Sequence, residues 1–137
     1  MNITIETIVH APIEKVWAAY TTPEDIQQWN AASDDWHTTA SKVDLRVGGV
    51  FSSRMEAKDG SFGFDFAGTY TKIVHHELIE YAFGDRSASV EFRPTNDGVL
   101  VHLSFVAEEE HSVEQQQAGW QAILNRFAQH VENKQSN

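Results

Sequence analysis

The chain opens on an alternating run, Asn2 to Val9, in which Ile3 and Ile5 take every second position before the pattern drifts to Ile8. A period of two predicts a half-buried strand. The period then changes. Ile13, Val16, Trp17 and Tyr20 fall at helical spacing behind Pro12, with Glu14 in the first turn. Thr22-Pro23-Glu24-Asp25 reads as a second helix start: a capping hydroxyl, proline at N1 and acids near the positive end of the dipole. Ile26 and Trp29, three apart, give that second short helix one apolar side.

Alternation then returns in hairpin-like steps. Gly48-Gly49 breaks the chain after Val43-Asp44-Leu45-Arg46-Val47. Asp59-Gly60 predicts a two-residue turn of the kind that needs φ > 0 at its centre. That turn pairs Arg54 with Asp65, Met55 with Phe64 and Ser53 with Phe66. The link Val74-His75-His76-Glu77 pairs Tyr70 with Tyr81 and Gly68 with Phe83. Gly84-Asp85-Arg86-Ser87 brings Tyr81 to Val90 and Ile79 to Phe92, and Asp97-Gly98 brings Phe92 to Leu103 and Val90 to Phe105.

Each register, taken from its turn alone, sends the bulky residues to one face: Phe51, Ser53, Met55, Phe64, Phe66, Gly68, Tyr70, Ile79, Tyr81, Phe83, Val90, Phe92, Val101, Leu103 and Phe105. The other face takes Arg54, Glu56, Asp65, Glu91 and Arg93, with Arg93 opposite His102. A one-residue slip would flip a strand, so the agreement predicts a continuous antiparallel meander. Ser112 and Gln115 form a capping box ahead of an apolar stripe, Val113, Trp120, Ile123, Leu124, Phe127 and Val131. A helix of about 20 residues spans ~30 Å, enough to cross a sheet. The fold class is therefore α+β: a curved antiparallel sheet, two short helices after its first strand, and a long C-terminal helix across its concave face.

The length of 137 residues fits one domain, expected over residues 1–133, with a flexible tail over 134–137. No apolar run approaches the ~20 residues of a membrane span. Met1 leads straight into the first strand, without the pattern of a signal peptide. The absence of cysteine excludes disulfides and thiolate catalysis. A formal charge of −10 argues against nucleic acid and anionic membrane surfaces and leaves room for a basic partner protein. These features predict a cytoplasmic protein, a monomer or weak dimer.

Val9-His10-Ala11-Pro12-Ile13-Glu14-Lys15-Val16-Trp17, Thr22-Pro23-Glu24 through Trp29, Asp44-Leu45-Arg46-Val47-Gly48-Gly49 and the late Gly119-Trp120 follow one another in that order. In this the chain resembles the START-like (SRPBCC) superfamily. More narrowly it resembles small bacterial members of the activator of heat shock protein 90 ATPase homologue family. The resemblance implies a helix-grip fold with a cavity between the long helix and the sheet, which in related families holds lipids, sterols, polyketides or plant hormones. It also implies a setting in stress response. It does not imply co-chaperone activity, since the eukaryotic activator carries a further chaperone-binding domain. A chaperone partner engaging the acidic surface stays an alternative that the sequence does not support.

The expected occupant is a small apolar or amphipathic molecule. Its candidate contacts are Trp29, Trp36, His37, Phe51, Ser53, Met55, Phe64, Phe66, Gly68, Tyr70, Tyr81, Phe83, Phe92, Trp120, Leu124 and Phe127. Each of the inner-face residues reads equally as plain core under the helix. The cavity reading rests on Ser53 and Gly68, small residues in mid-sheet whose neighbours must fill the space or leave a void. Trp29 and Trp36, in a polar loop, either close the cavity mouth or staple the loop to the core. His37 with Asp34 or Asp35 is the arrangement a hydrolase or polyketide-cyclase-like enzyme would need, and it is also ordinary on surfaces. No catalytic residue, metal or cofactor is expected: His75 and His76, adjacent on a strand, point apart unless the turn reunites them.

Overall fold

In the computed structural model, which describes residues 1–135, Ile3, Ile5 and Val9 fill the inner face of the first strand, β1 (Asn2–Val9). Alternation persists to the end of β1, so Ile8 faces outward and is 43% exposed, without the expected drift. Helices α1 (Ile13–Thr21) and α2 (Pro23–Trp29) follow. Pro23 takes the predicted N1 position, but the Thr22 hydroxyl makes no capping bond. The Thr22 backbone instead joins the two helices, its N–H donating to Ala18 O and its carbonyl accepting from Ile26 N.

Six strands come next: β2 (Trp36–Val43), β3 (Val50–Ala57), β4 (Gly63–Val74), β5 (Leu78–Phe83), β6 (Arg86–Thr95) and β7 (Gly98–Val106). With β1 they form one antiparallel sheet in the order β1-β7-β6-β5-β4-β3-β2. The sequence-based placement of a strand over Val43–Val47 is corrected. Val43 ends β2, and the residues after it are the β2–β3 connection, where Gly49 N donates to Arg46 O and Gly48 has φ +86°. The strand lies earlier, in Thr- and Ser-rich Trp36–Val43. It is an edge strand with one neighbour, so it needs no second apolar partner face to pair.

Arg54 pairs with Asp65, Met55 with Phe64 and Ser53 with Phe66, as the Asp59-Gly60 signal requires. The connection is wider than two residues: Ala57 N bonds Phe62 O, and Asp59 accepts from Ser61 N. Tyr70 pairs with Tyr81, and a bulge between Tyr70 and Lys72 absorbs the difference from the shorter loop that follows Val74.

Two registers differ from expectation. Tyr81 pairs with Ala88 and Ile79 with Val90, because the turn is Gly84-Asp85 alone, with Gly84 at φ +63°. Phe92 pairs with Val101 and Val90 with Leu103, because Asn96-Asp97 makes the turn between Thr95 and Gly98. Both errors are shifts of two, which keep every side chain on its own face. Arg93 accordingly lies opposite Leu100, while His102 faces Glu91 and bonds Glu6 at 3.1 Å.

The long helix α3 (Val113–Gln135) closes the concave face. Its capping box is formed: Gln115 N donates to Ser112 Oγ at 3.1 Å, and Ser112 N to Gln115 Oε1 at 3.2 Å. Leu124, Phe127 and Val131 are buried, and the Trp120 ring stacks on Phe105 at 4.0 Å. The buried Gln116 side chain ties the 107–112 segment to the helix, accepting from Glu108 N and donating to the Glu108 and His111 carbonyls. Lys134 and Gln135 belong to α3 instead of a tail; Ser136 and Asn137 of the expected tail lie outside the described residues. No described helix is long and apolar enough to cross a membrane.

The far end of α3 is held to α2 by Asp25, which accepts from His130 Nε2 at 2.8 Å and Lys134 Nζ at 2.7 Å. Burial alone would raise this carboxyl, but the two cationic donors outweigh it and hold it below its ordinary 3.8. A depressed carboxyl contributes stability that is complete above its unfolded pKa and is lost as pH falls through the folded one. Unfolding free energy should therefore decline as pH drops below 3.8. Asp25→Asn should be less stable at pH 7 and should lose part of that acid slope. Parallel stability–pH curves for the two proteins would show that Asp25 does not carry it.

Candidate ligand cavity

Between α3 and strands β2 to β5 lies a cavity of about 240 Å³. α3 packs chiefly on β1, α1 and α2, which leaves the β3–β4 side of the sheet standing off from it. The sheet contributes Phe51, Ser53, Met55, Phe64, Phe66, Tyr70, Ile79, Tyr81 and Leu103, and α3 contributes Trp120, Ile123 and Leu124. Tyr20, Ile26, Trp29 and Asn30 come from the two short helices and the residue after them, and Ser41, Lys42 and Val43 from the edge strand.

The walls are mainly aromatic. Phe51 meets Phe66, Tyr70 and Tyr81, and Phe66 meets Phe83 and Trp120, at ring separations of 5.0–6.2 Å. Hydroxyls supply most of the polar exceptions, beside Asn30 and Lys42. Ser53 is 5% exposed. Ser41, its cross-strand partner, has the one buried side-chain polar atom without a hydrogen-bond partner among the described residues. Burial pushes the Tyr70 phenol up to about 12, with the Asp44 carboxylate adding to the rise. Burial likewise holds Tyr20 and Tyr81 well above the ordinary 10, each also raised by neighbouring phenols. All three are neutral hydroxyls at any physiological pH.

Several residues expected at the site lie elsewhere. Gly68 leaves no gap: a Cβ there would sit 2.5 Å from the Ala82 carbonyl oxygen and 2.7 Å from the Phe51 ring, which already covers the position. Gly68→Ala should therefore cost about 1–3 kcal/mol by overpacking, read as a lower urea midpoint. An unchanged midpoint would mean that both the ring and the β5 backbone yield. Phe83, Phe92 and Phe127 stand behind the lining as core, Phe92 against Trp17 and Tyr20, Phe127 against Tyr20 and Trp29.

Of the two loop tryptophans, Trp29 lines the cavity and is fixed by Nε1–H donation to Ala19 O at 2.9 Å. Trp36 packs outside it on Phe62 and Phe64, which are 62% and 40% exposed. His37 is exposed and pairs across the strands with Glu56. Alternation explains the error: Thr38, next in line, points inward to bond Asn30 O, so His37 must point out. Its proposed orienting acids are engaged elsewhere, Asp34 with Arg126 on α3 and Asp35 with Ser33. His37 thus has no access to a cavity-bound reactant.

The β4–β5 turn does reunite His75 and His76, with His76 at φ 66°; their rings stack at 3.8 Å and both lie edge-on to Trp17. Glu108, Glu110 and His111 bring ligand-type atoms within 4.8 Å of one another, a grouping the histidine spacing did not suggest. They are surface groups away from the cavity lining.

Tyr20, Ile26, Asn30, Ser41, Lys42, Val43, Ile79, Leu103 and Ile123 line the cavity without having been singled out as site residues. Helical spacing made Tyr20, Ile26 and Ile123 look like core alone, and the alternation of Ile79 and Leu103 did the same. Ser41 could be placed only once β2 was recognised as a strand.

The profile of the family described as Activator of Hsp90 ATPase homolog 1-like protein matches residues 10–132. The fold is similar to the solution structure of an AHSA1-like protein from Aeromonas hydrophila, with 46% identity, a TM-score of 0.93, and coverage of 100% of this chain and 96% of that one. A solution structure from Cytophaga hutchinsonii is 44% identical, with a TM-score of 0.83 over 99% of this chain and 95% of its own. A crystal structure from Nitrosomonas europaea keeps the fold at 18% identity, with a TM-score of 0.83 over 100% and 97% of the two chains. No curated protein matches the chain.

Proposed function

The chain belongs to the Activator of Hsp90 ATPase homolog 1-like family, and from that premise we propose that it binds a small, uncharged, largely apolar molecule between α3 and the sheet. One observation carries the reading: a small cavity walled mainly by aromatic rings, whose polar lining is the hydroxyls of Ser41, Ser53 and three tyrosines, with Asn30 and the exposed Lys42. Small-molecule sites have this form, apolar walls with a few placed polar groups. A filled core would not leave Ser53 and three phenols facing unoccupied volume, since interiors pack to near-crystalline density.

The binding has a direct test in titration with N-phenyl-1-naphthylamine, an uncharged dye that brightens in apolar surroundings. Saturable enhancement at one dye per chain is the expected result. A linear response, indistinguishable from that of an unrelated protein, would overturn the reading. Native mass spectrometry of the freshly purified protein should add an adduct that organic extraction removes.

A further inference from the structure

We propose that Tyr20, Tyr70 and Tyr81 form a three-hydroxyl receptor for one oxygen of the bound molecule, which makes the ligand an uncharged carbonyl compound. The inference rests on the cavity reading above and specifies its chemistry.

Tyr70 and Tyr81 are direct cross-strand partners, so their side chains leave the sheet side by side, and both are 7% exposed. Tyr20 reaches the same cavity from α1, packed on edge against Phe92 and Phe127. All three line the cavity, and Tyr70 lies near enough to raise the phenols of both Tyr20 and Tyr81. None of the three hydroxyls makes a hydrogen bond to a described residue. Three phenolic donors lining one cavity, with no acceptor among the described residues to receive them, form an incomplete network. Hydroxyls that face a cavity without a protein partner give preference to whatever completes them.

A carbonyl oxygen is the complement. It brings two lone pairs, needs no proton of its own and can accept from two or three donors at once. A hydrocarbon of the same shape leaves the donors dry. A carboxylate brings acceptors, but at the phenols its charge would enter a place where burial and the Asp44 carboxylate already oppose negative charge, and the one cation of the lining, Lys42, is exposed on the edge strand. Sites built to hydrogen-bond a ligand discriminate strongly against analogues that lack the bonding atom.

Three near-isosteric naphthalenes separate these cases in competition against N-phenyl-1-naphthylamine at pH 7: 2-acetylnaphthalene, 2-isopropylnaphthalene and 2-naphthoate. The ketone should displace the dye at roughly tenfold lower concentration than the hydrocarbon, about what one or two net hydrogen bonds supply. The carboxylate should be weakest. In Tyr70→Phe/Tyr81→Phe, and separately in Tyr20→Phe, the advantage of the ketone over the hydrocarbon should shrink toward unity, each ratio being taken within one variant so that any change in dye affinity cancels. A hydrocarbon that competes as well as the ketone, a carboxylate that competes best, or a preference that survives in the Phe variants would overturn the receptor alone, leaving the cavity standing. Failure of both dye and ketone to bind the wild type, the ketone being followed by calorimetry, would overturn the cavity reading and the receptor with it.

Discussion

Ser53→Leu should weaken dye binding at least tenfold and leave the fold at or slightly above wild-type stability. Ser53 is buried, faces the cavity beside Phe66 and Met55, and makes no hydrogen bond to a described residue. A leucine there extends into volume that is already open and removes a hydroxyl from an apolar wall. The gain from burying its added carbons is ~0.8 kcal/mol for each methylene-sized group, which offsets the adjustment of neighbouring rings. Were the space filled by neighbours, the same substitution would overpack the sheet and cost about 1–3 kcal/mol. Dye titration and urea denaturation on the same preparation separate the two cases. Loss of binding together with a large loss of stability would count against an open cavity.

Phe127→Ala should be the most damaging single substitution, costing about 3–5 kcal/mol. Phe127 is 0% exposed and joins three elements: its ring lies edge-on to Tyr20 of α1 and Trp29 of α2 at 5.3 and 5.0 Å, and it anchors α3 to both. Trp29 in turn is fixed by its bond to Ala19 O, so the rings around the deleted one cannot collapse freely into the hole. Domains of this size are stable by roughly 5–15 kcal/mol, so the variant should stay folded in buffer and unfold at a much lower urea concentration. A midpoint close to wild type would mean that α3 repacks over the gap, and that the short helices are held mainly by the Asp25 and Asp34 contacts.

The chain shows most of this architecture in its sequence, for reasons that also explain where it misleads. Face assignment follows from alternation, which has only two states, so Phe51, Ser53, Met55, Phe66, Tyr70 and Tyr81 all fall on the inner side. Register has many states, and those differing by two are invisible to face assignment. Gly84-Asp85 and Asn96-Asp97 decide them through turn geometry that the flanking polar residues obscure. An edge strand such as β2, paired on one side only, is Thr- and Ser-rich and gives almost no hydrophobic signal. That is why Ser41 gives no signal in the sequence and why His37 reads there as a ligand contact.

The cavity was legible only in part because emptiness depends on neighbours far away in sequence. Gly68 and Ser53 look alike as gaps in a strand. Phe51 covers Gly68, while the space at Ser53 stays open. Tyr20, 50 residues before its neighbour Tyr70 in the chain, joins the phenols only through the packing of α1 onto the sheet. Its helical spacing shows only that it faces inward.

Mapping the dye by two-dimensional amide NMR on isotope-labelled protein tests the central claim most directly. Addition of N-phenyl-1-naphthylamine should shift the amides of Ser41, Ser53, Phe66, Tyr70 and Tyr81 and the indole N–H of Trp120, in one saturable process. Amides of Glu6, Glu91 and His102 on the convex face should stay still. Shifts confined to the convex face or to the exposed Trp36–Phe62 pair, with the cavity residues silent, would contradict it.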